Sequence, residues 1–257
     1  MEKIGFIGCG HLAKAIINGL SNFEKYNIDG HDRNEVNQNW LQTNGHQASS
    51  LKDVVINSDV VFICVKPKDV ISLCNDMKQH ISLNKKVVSV AAGIKYRQIK
   101  DCLEDAKIFR AMPNIGSKDN LGITSIFSRE ESSDIVELFK HLGEAFVVED
   151  ESNIDLHTSL IGSGPAFFLD IINEFENRLD ELLPEGETKR DITVTFLSSL
   201  IASIKNGENL EDIIDSIKSK GGTTEAGLNH LYSTEFTKVF SEAVDAAVNR
   251  AKELSMH

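Results

Sequence analysis

Two short stretches carry residue types whose spacing could do chemistry. Near the C-terminal end, Ser219-Lys220-Gly221-Gly222-Thr223-Thr224-Glu225-Ala226-Gly227 sets paired glycines before two hydroxyls at the start of a helical pattern. Lacking Cβ, glycines reach the left-handed conformations that turn successive N–H groups toward one point, and a helix N-terminus adds its positive end. That combination favours a carboxylate or phosphate; on its own, the stretch also reads as a turn between helices with a Thr cap. Near the start of the chain, Gly8-Cys9-Gly10-His11-Leu12-Ala13 follows the apolar run Lys3-Ile4-Gly5-Phe6-Ile7. Ala13, Ile16, Ile17 and Leu20 then recur at helical spacing. A G-x-G-x-x-A pattern is common by chance, but between a strand and a helix it is a dinucleotide fingerprint. Gly8 permits the tight turn, Gly10 the approach of a pyrophosphate, and Ala13 close helix–strand packing. Gly8, Cys9, Gly10, His11 and Leu12 are therefore candidate cofactor contacts.

The elements that must position these residues follow from periodicity. Strand patterns at 28–32, 60–65, 86–91 and 108–112 alternate with helical ones, such as 69–79 with Val70, Leu73, Cys74 and Met77 on one face. The alternation predicts a parallel, doubly wound sheet whose ligands bind at the carboxyl ends of the strands. Those ends carry further candidates. Asp32 could accept from a ribose 2′-hydroxyl and Arg33 could pair with a 2′-phosphate, two signals that pull toward NADH and NADPH respectively. In Val65-Lys66-Pro67, Pro67 is expected to end the strand and leave Lys66 facing the cleft. Ala92 and Gly93 let a ligand lie against the backbone, and Asn114, after Arg110-Ala111-Met112-Pro113, offers a donor and an acceptor. A strand at 123–127, a helix at 135–142 and a strand at 146–149 complete a domain spanning 1–150.

From 151 to 257 only helical patterns appear. Gly162-Ser163-Gly164-Pro165-Ala166-Phe167 opens one helix, with Pro165 suited to its first turn. The segment 192–204 is apolar over much of its circumference, so it must be buried, and a partner chain is expected to complete its core. A shorter helix at 210–218 precedes the glycine turn, and a last helix runs from about 235 to 254.

Composition narrows the partners. The chain has 257 residues, 41% hydrophobic and 26% charged, with a formal net charge of −12. That charge argues against nucleic acid or an anionic membrane surface as the main partner. Cys9, Cys64, Cys74 and Cys102 form no C-x-x-C pair and read as reduced core residues. Neither His11 nor His157, the histidines nearest the motifs, has companions at metal-ligand spacing, so no metal is expected. The longest low-charge run is too short to span a bilayer, and no signal peptide precedes the first strand, which points to the cytoplasm.

The order of motifs resembles the pyrroline-5-carboxylate reductase family nearly end to end. The generic part is Gly5-Phe6-Ile7-Gly8-Cys9-Gly10; the specific parts are Gly162-Ser163-Gly164-Pro165-Ala166-Phe167 and Gly221-Gly222-Thr223-Thr224. Val65-Lys66-Pro67, Ala91-Ala92-Gly93 and Arg110-Ala111-Met112-Pro113-Asn114 lie between them. The resemblance implies an α/β protein with a Rossmann-type domain and an all-α C-terminal dimerisation domain. It implies hydride transfer from NADPH, or alternatively NADH, to the C=N of 1-pyrroline-5-carboxylate, giving L-proline. It also implies a homodimer through the helical domain, with larger assemblies open. Under it, Gly222, Thr223 and Ser219 hold the substrate carboxylate, Thr224 meets the ring nitrogen as positioner and proton relay, and Lys66 and Asn114 contact the nicotinamide ribose or ordered water. The chain departs from the family at Lys220, where Pro is usual, at Ile161, where Ser is usual, at Ile115-Gly116, and in Gly207-Glu208-Asn209-Leu210-Glu211, where Gly-Glu-His-Pro-Gly is usual. Two other readings stay open: a relative reducing another cyclic imine or a carbonyl acid, and a cofactor-binding protein without catalysis.

Overall fold

The computed structural model describes residues 1–183, 188–207 and 209–254, so Glu208 lies outside the described residues. The chain divides into two compact units, Met1–Ser163 with the chain from Ala246 on, and Gly164–Asp245. The first holds β1 (Glu2–Ile7), α1 (His11–Leu20), β2 (Tyr26–His31), α2 (Glu35–Thr43), β3 (Gln47–Ala48), α3 (Leu51–Asn57), β4 (Val60–Ile63) and α4 (Pro67–Lys78). It continues with β5 (Lys86–Ser89), α5 (Tyr96–Cys102), β6 (Lys107–Pro113), β7 (Gly122–Phe127), α6 (Ser133–Lys140), β8 (Gly143–Val147) and α7 (Asn153–His157). The expected boundary at 150 falls before α7, which contacts β6 and β7 and so clusters with the sheet.

The strands form one sheet in the order β3-β2-β1-β4-β5-β6-β7-β8. Strand order reverses between β1 and β4, and this is where a crevice opens in doubly wound sheets. β4 is apolar at every position because both its faces are covered. On one face Phe6 and Phe62 stack with ring centres 4.8 Å apart, while Ile7, Val61 and Ile63 belong to the core on the other.

The pairing of β6 with β7 is antiparallel, the one such pair in this sheet. The reason is the connection. Residues 114–121 hold only a 3₁₀ turn, Ile115–Asp119, and a parallel return needs about a dozen or more residues. Pro67 also differs from expectation: β4 has already ended at Ile63, and Pro67 is the first residue of α4, where its missing N–H is harmless.

β6 carries a buried charge. Arg110 is 3% exposed and pairs with Glu151 at 2.8 Å; the same carboxylate oxygen accepts the Tyr96 N–H. This joint fastens β6 and α5 to the segment that leads into α7.

The second unit holds α8 (Gly164–Leu179), α9 (Lys189–Lys205), α10 (Leu210–Ile217), α11 (Thr223–Ser233) and most of α12 (Phe236–Leu254). Its interior is thin. Thr193 is the buried residue of α9, and α10 and α11 have none. The apolar side chains expected to be buried on α9 are largely exposed in the single chain, Val194 at 55% and Ile204 at 54%. Among the described residues no helix is long and apolar enough to cross a membrane.

Removing Glu151 strands the Arg110 charge in the sheet. Glu151→Ala is expected to lower unfolding free energy by about 3 kcal/mol in urea titration. Glu137→Ala, which breaks an exposed pair with Lys140 that water and salt screen, should leave the urea midpoint nearly unchanged. Equal losses would mean that Arg110 does not depend on its partner.

Candidate active site

At the switch between β1 and β4 lies a cleft of about 490 Å³, lined by Gly8, Gly10, Asp32, Arg33, Val65 and Lys66 among others. Gly8 has φ +87°, and a Cβ there would stand 2.9 Å from the Cys64 carbonyl carbon and the Val65 nitrogen. No other residue fits this turn. Gly10 is the N-cap of α1, with open space where a Cβ would be. No side chain caps that helix and no acidic residue sits in its first turn, so the N–H groups at His11 and Leu12 are left for an anion. Ala13 is buried against the sheet, as close packing needs. A dinucleotide pyrophosphate fits this end of α1.

Asp32 turns inward. Its Oδ2 accepts the Cys9 N–H at 2.7 Å and the Asn37 amide at 2.9 Å, and its Oδ1 accepts the Asn34 N–H at 2.8 Å. Burial opposes ionisation, but these donors outweigh it and hold the carboxyl below the ordinary carboxylate range. Asp32 thus fastens the glycine turn to the end of β2, and most of its accepting capacity is used before any ribose arrives. Cys9 contributes through this backbone bond. Its side chain is fully buried, and burial pushes the thiol up to about 12. Arg33 is different: its side chain is 80% exposed and meets Asp69 only at 3.8 Å, which leaves the guanidinium free to engage a phosphate.

Lys66 is the N-cap residue of α4 and lines the cleft directly after Val65; Pro67 follows as the first helical residue. Ala92 and Gly93 lie beyond the end of β5, Gly93 with φ +76°. Asn114 sits at the end of β6, where its Oδ1 accepts the Ile123 N–H at 3.1 Å and ties the start of β7 to the strand end. Residues Thr158–Ser163, which hold Ile161 and the first half of the Gly-Ser-Gly-Pro motif, form a π-helix against β6. The Met112 sulfur lies 3.8 Å from the position a Cβ would take on Gly162. Two motifs far apart in sequence therefore meet. The π-helix had no signal in periodicity, since one widened turn leaves the apolar spacing almost unchanged.

In the second unit, the glycine stretch forms the turn that opens α11. The Gly222 N–H donates to the Ser219 carbonyl at 2.9 Å, so it closes the turn instead of waiting for an anion. Gly221 has φ +72°, and its N–H donates to Glu225 Oε2 at 2.7 Å. A Cβ on Gly222 would collide with the Ser219 hydroxyl. Gly222 is the N-cap of α11 and no side chain caps it, which leaves the N–H groups of Thr223 and Thr224 at the helix start. Glu225 escaped the sequence reading. Its signal was a Glu three residues after a helix N-cap, the position from which a carboxylate reaches back.

With Asp32 bracing the turn and Arg33 free, substitutions separate their roles. Asp32→Ala is expected to raise KM for NADPH and NADH by a similar factor, about tenfold for the loss of charge-assisted hydrogen bonds. Arg33→Ala should raise KM for NADPH alone. A rise for NADH only in Asp32→Ala would show that the carboxylate reads the ribose. Since its folded pKa lies below the unfolded value of about 3.9, Asp32 contributes stability above that pH and loses it as pH falls through the folded value. Asp32→Asn should flatten the acid limb of the stability curve below about pH 4.

Residues 151–254 match the family profile described as pyrroline-5-carboxylate reductase dimerisation, and residues 3–93 match one described as NADP oxidoreductase coenzyme F420-dependent. A pyrroline-5-carboxylate reductase of Staphylococcus saprophyticus is 31% identical, over 98% of this chain and 98% of its own length. Pyrroline-5-carboxylate reductase 1 of Bacillus spizizenii is 30% identical, over 99% of this chain and 90% of its own. The solved structure of a pyrroline-5-carboxylate reductase from Coxiella burnetii superposes with TM-score 0.83 at 30% identity, covering 98% of each chain. On this end-to-end similarity, joined to a glycine cleft in the first unit and a Gly-Gly-Thr-Thr helix start in the second, the chain belongs to the pyrroline-5-carboxylate reductase family.

Proposed function

We infer that the protein reduces 1-pyrroline-5-carboxylate to L-proline with a reduced nicotinamide dinucleotide, NADPH before NADH. The observation that carries this reading is full-length membership of the family, with both Thr223 and Thr224 kept at the uncapped start of α11. A protein that only bound the cofactor would have no use for them.

The substrate needs an anion site for its carboxylate and a partner for its ring nitrogen. The N–H groups of Thr223 and Thr224, at the positive end of α11, supply the first, and the Ser219 hydroxyl flanks them. Thr224 Oγ1 supplies the second, hydrogen-bonding the nitrogen that gains electron density as the imine becomes an amine. A hydroxyl is too weak an acid to protonate that nitrogen alone, so its work is orientation and relay. A dinucleotide bound in the β1–β4 cleft would supply a hydride to the imine carbon. The uncapped start of α1 would hold the pyrophosphate and Arg33 the 2′-phosphate; Lys66 in the same cleft, with Ala92 and Gly93 after β5 and Asn114 after β6, would meet the nicotinamide end.

The helical unit assembles as a homodimer on this reading. Exposed Val194, Ile201, Ile204 and Val239 are too much apolar surface for a lone unit, and a second copy of the dimerisation helices fits them. All four cysteines are free thiols, in keeping with work in the cytoplasm.

Oxidation of NADPH with pyrroline-5-carboxylate, run beside piperideine-carboxylate, tests the assignment. Turnover of the first substrate is expected; turnover of the second alone would move the protein to another cyclic imine. Thr224→Ala should lower kcat about 10²-fold with little change in KM for NADPH. An unchanged kcat removes Thr224 from the mechanism. Ile201→Glu places a charge on the exposed face of α9 and is expected to sediment as a monomer at micromolar concentration, where the wild type sediments as a dimer or larger.

A further inference from the structure

The turn that opens α11 has a definite geometry. Ser219 O accepts from Gly222 N at 2.9 Å, Gly221 in the third position has φ +72°, and Lys220 in the second is not among the residues with positive φ. These features define a type II turn. Its central peptide joins Lys220 to Gly221, and rotating that peptide converts type II to type I with small change elsewhere. Rotation would also swing the Gly221 N–H away from its present partner. Proline is favoured at the second position of such turns, because it presets φ and that N–H has no acceptor to lose. Lys220 provides no such restraint. Glu225 does: its Oε2 takes the Gly221 N–H at 2.7 Å from one turn into α11.

We propose that Glu225 is a positioning residue for the substrate carboxylate, locking the central peptide of the Ser219–Gly222 turn and so doing the work that proline would do at position 220. The locked turn fixes where Gly222 ends and where the Thr223 and Thr224 N–H groups point. It also seats the Ser219 hydroxyl against the Gly222 Cα, where a Cβ would collide with it. Glu225 touches neither substrate nor cofactor in this role; it acts through the turn. The inference rests on the substrate reading above and extends it to how this chain holds that site.

Steady-state kinetics with both substrates, on the full chain, provide the test. Glu225→Ala should raise KM for pyrroline-5-carboxylate about tenfold, the loss of a hydrogen bond to a charged group, and leave KM for NADPH unchanged. Glu225→Gln keeps an acceptor oxygen and should fall between. Adding Lys220→Pro to Glu225→Ala should restore most of the lost affinity, because the turn is then held from its other side. A general weakening of α11 would not be repaired by a proline outside the helix. Unchanged or lowered KM in Glu225→Ala, or no rescue by Lys220→Pro, overturns the proposal. Amide exchange at Gly221 gives a readout without substrate or variant: slowed exchange in the wild type supports the lock, and free exchange overturns it. Wild-type protein inert toward pyrroline-5-carboxylate would sink the substrate reading, while the exchange measurement would still decide the lock.

Discussion

The cofactor cleft depends on one close approach. Where β1 ends, the backbone passes so near the end of β4 that a Cβ on Gly8 would stand 2.9 Å from the Cys64 carbonyl carbon and the Val65 nitrogen. Only glycine, here at φ +87°, lets the chain turn within that gap and start α1 directly over the switch in strand order. Asp32 then holds the turn from the neighbouring strand through the Cys9 N–H. The register of β1 with β2, Ile7 opposite His31, brings the two within reach. Sheet register, glycine conformation and one carboxylate thus fix the start of α1 before any ligand arrives. This is preorganisation, and it spares binding the cost of ordering the loop.

The two units hold together by different means. The sheet unit buries large side chains on both faces, Phe6, Phe62, Phe109 and Phe139 on one and Ile7, Ile63 and Met77 on the other, and carries its own core. The helical unit leaves Phe168, Val194, Ile201 and Ile204 in solvent and keeps a buried carboxylate, Glu176, beside Arg190 at 3.1 Å. Helices with so little buried surface of their own gain stability mainly by packing with something else. The profile that residues 151–254 match is described as a dimerisation one, and a second copy of these helices is the partner proposed above.

Much of the fold was legible because its signals are local. The strand–glycine–helix flanks of Gly8 and Gly10 declared a doubly wound sheet, and the apolar run at Val60–Ile63 declared a strand buried on both faces. What escaped depends on geometry across the chain. The turn of β7 against β6 follows from a connection too short to cross over, and the π-helix at Thr158–Ser163 from a single widened turn. Asp32 stood at the position from which acids read a ribose, but whether a carboxylate points outward or back to a turn is decided by neighbours such as Asn34 and Asn37. At α11 the sequence counted the Gly222 N–H among the donors open to an anion, and the structure closes it within the turn. Counting glycines does not reveal that the Gly222 N–H is consumed by Ser219. For α9, apolarity implied burial, and only the single-chain structure separates burial within the chain from burial by another.

The same device serves both ends of the chemistry. α2, α3, α9 and α10 begin on Asn34, Ser50, Thr188 and Asn209, whose side chains accept from the first turn. α1 and α11 begin on Gly10 and Gly222, with no side-chain cap on either; α4, α6 and α7 also lack one, but of α1–α7 and α9–α11 only these two have glycine as the N-cap. A cap contributes about 1 kcal/mol, so its absence leaves donors that water or a ligand must satisfy. A built-in oxygen would satisfy them permanently and compete with any anion. On the function proposed above, open ends keep the full dipole and the free N–H groups for a pyrophosphate at one helix and a carboxylate at the other. Openness has a cost in definition, since an uncapped helix start frays. The chain meets it one step back from each end, with a carboxylate that grips the residue before the N-cap: Asp32 on Cys9 and Glu225 on Gly221. Each acid braces the turn without filling the anion site, so rigidity and vacancy are provided by different atoms.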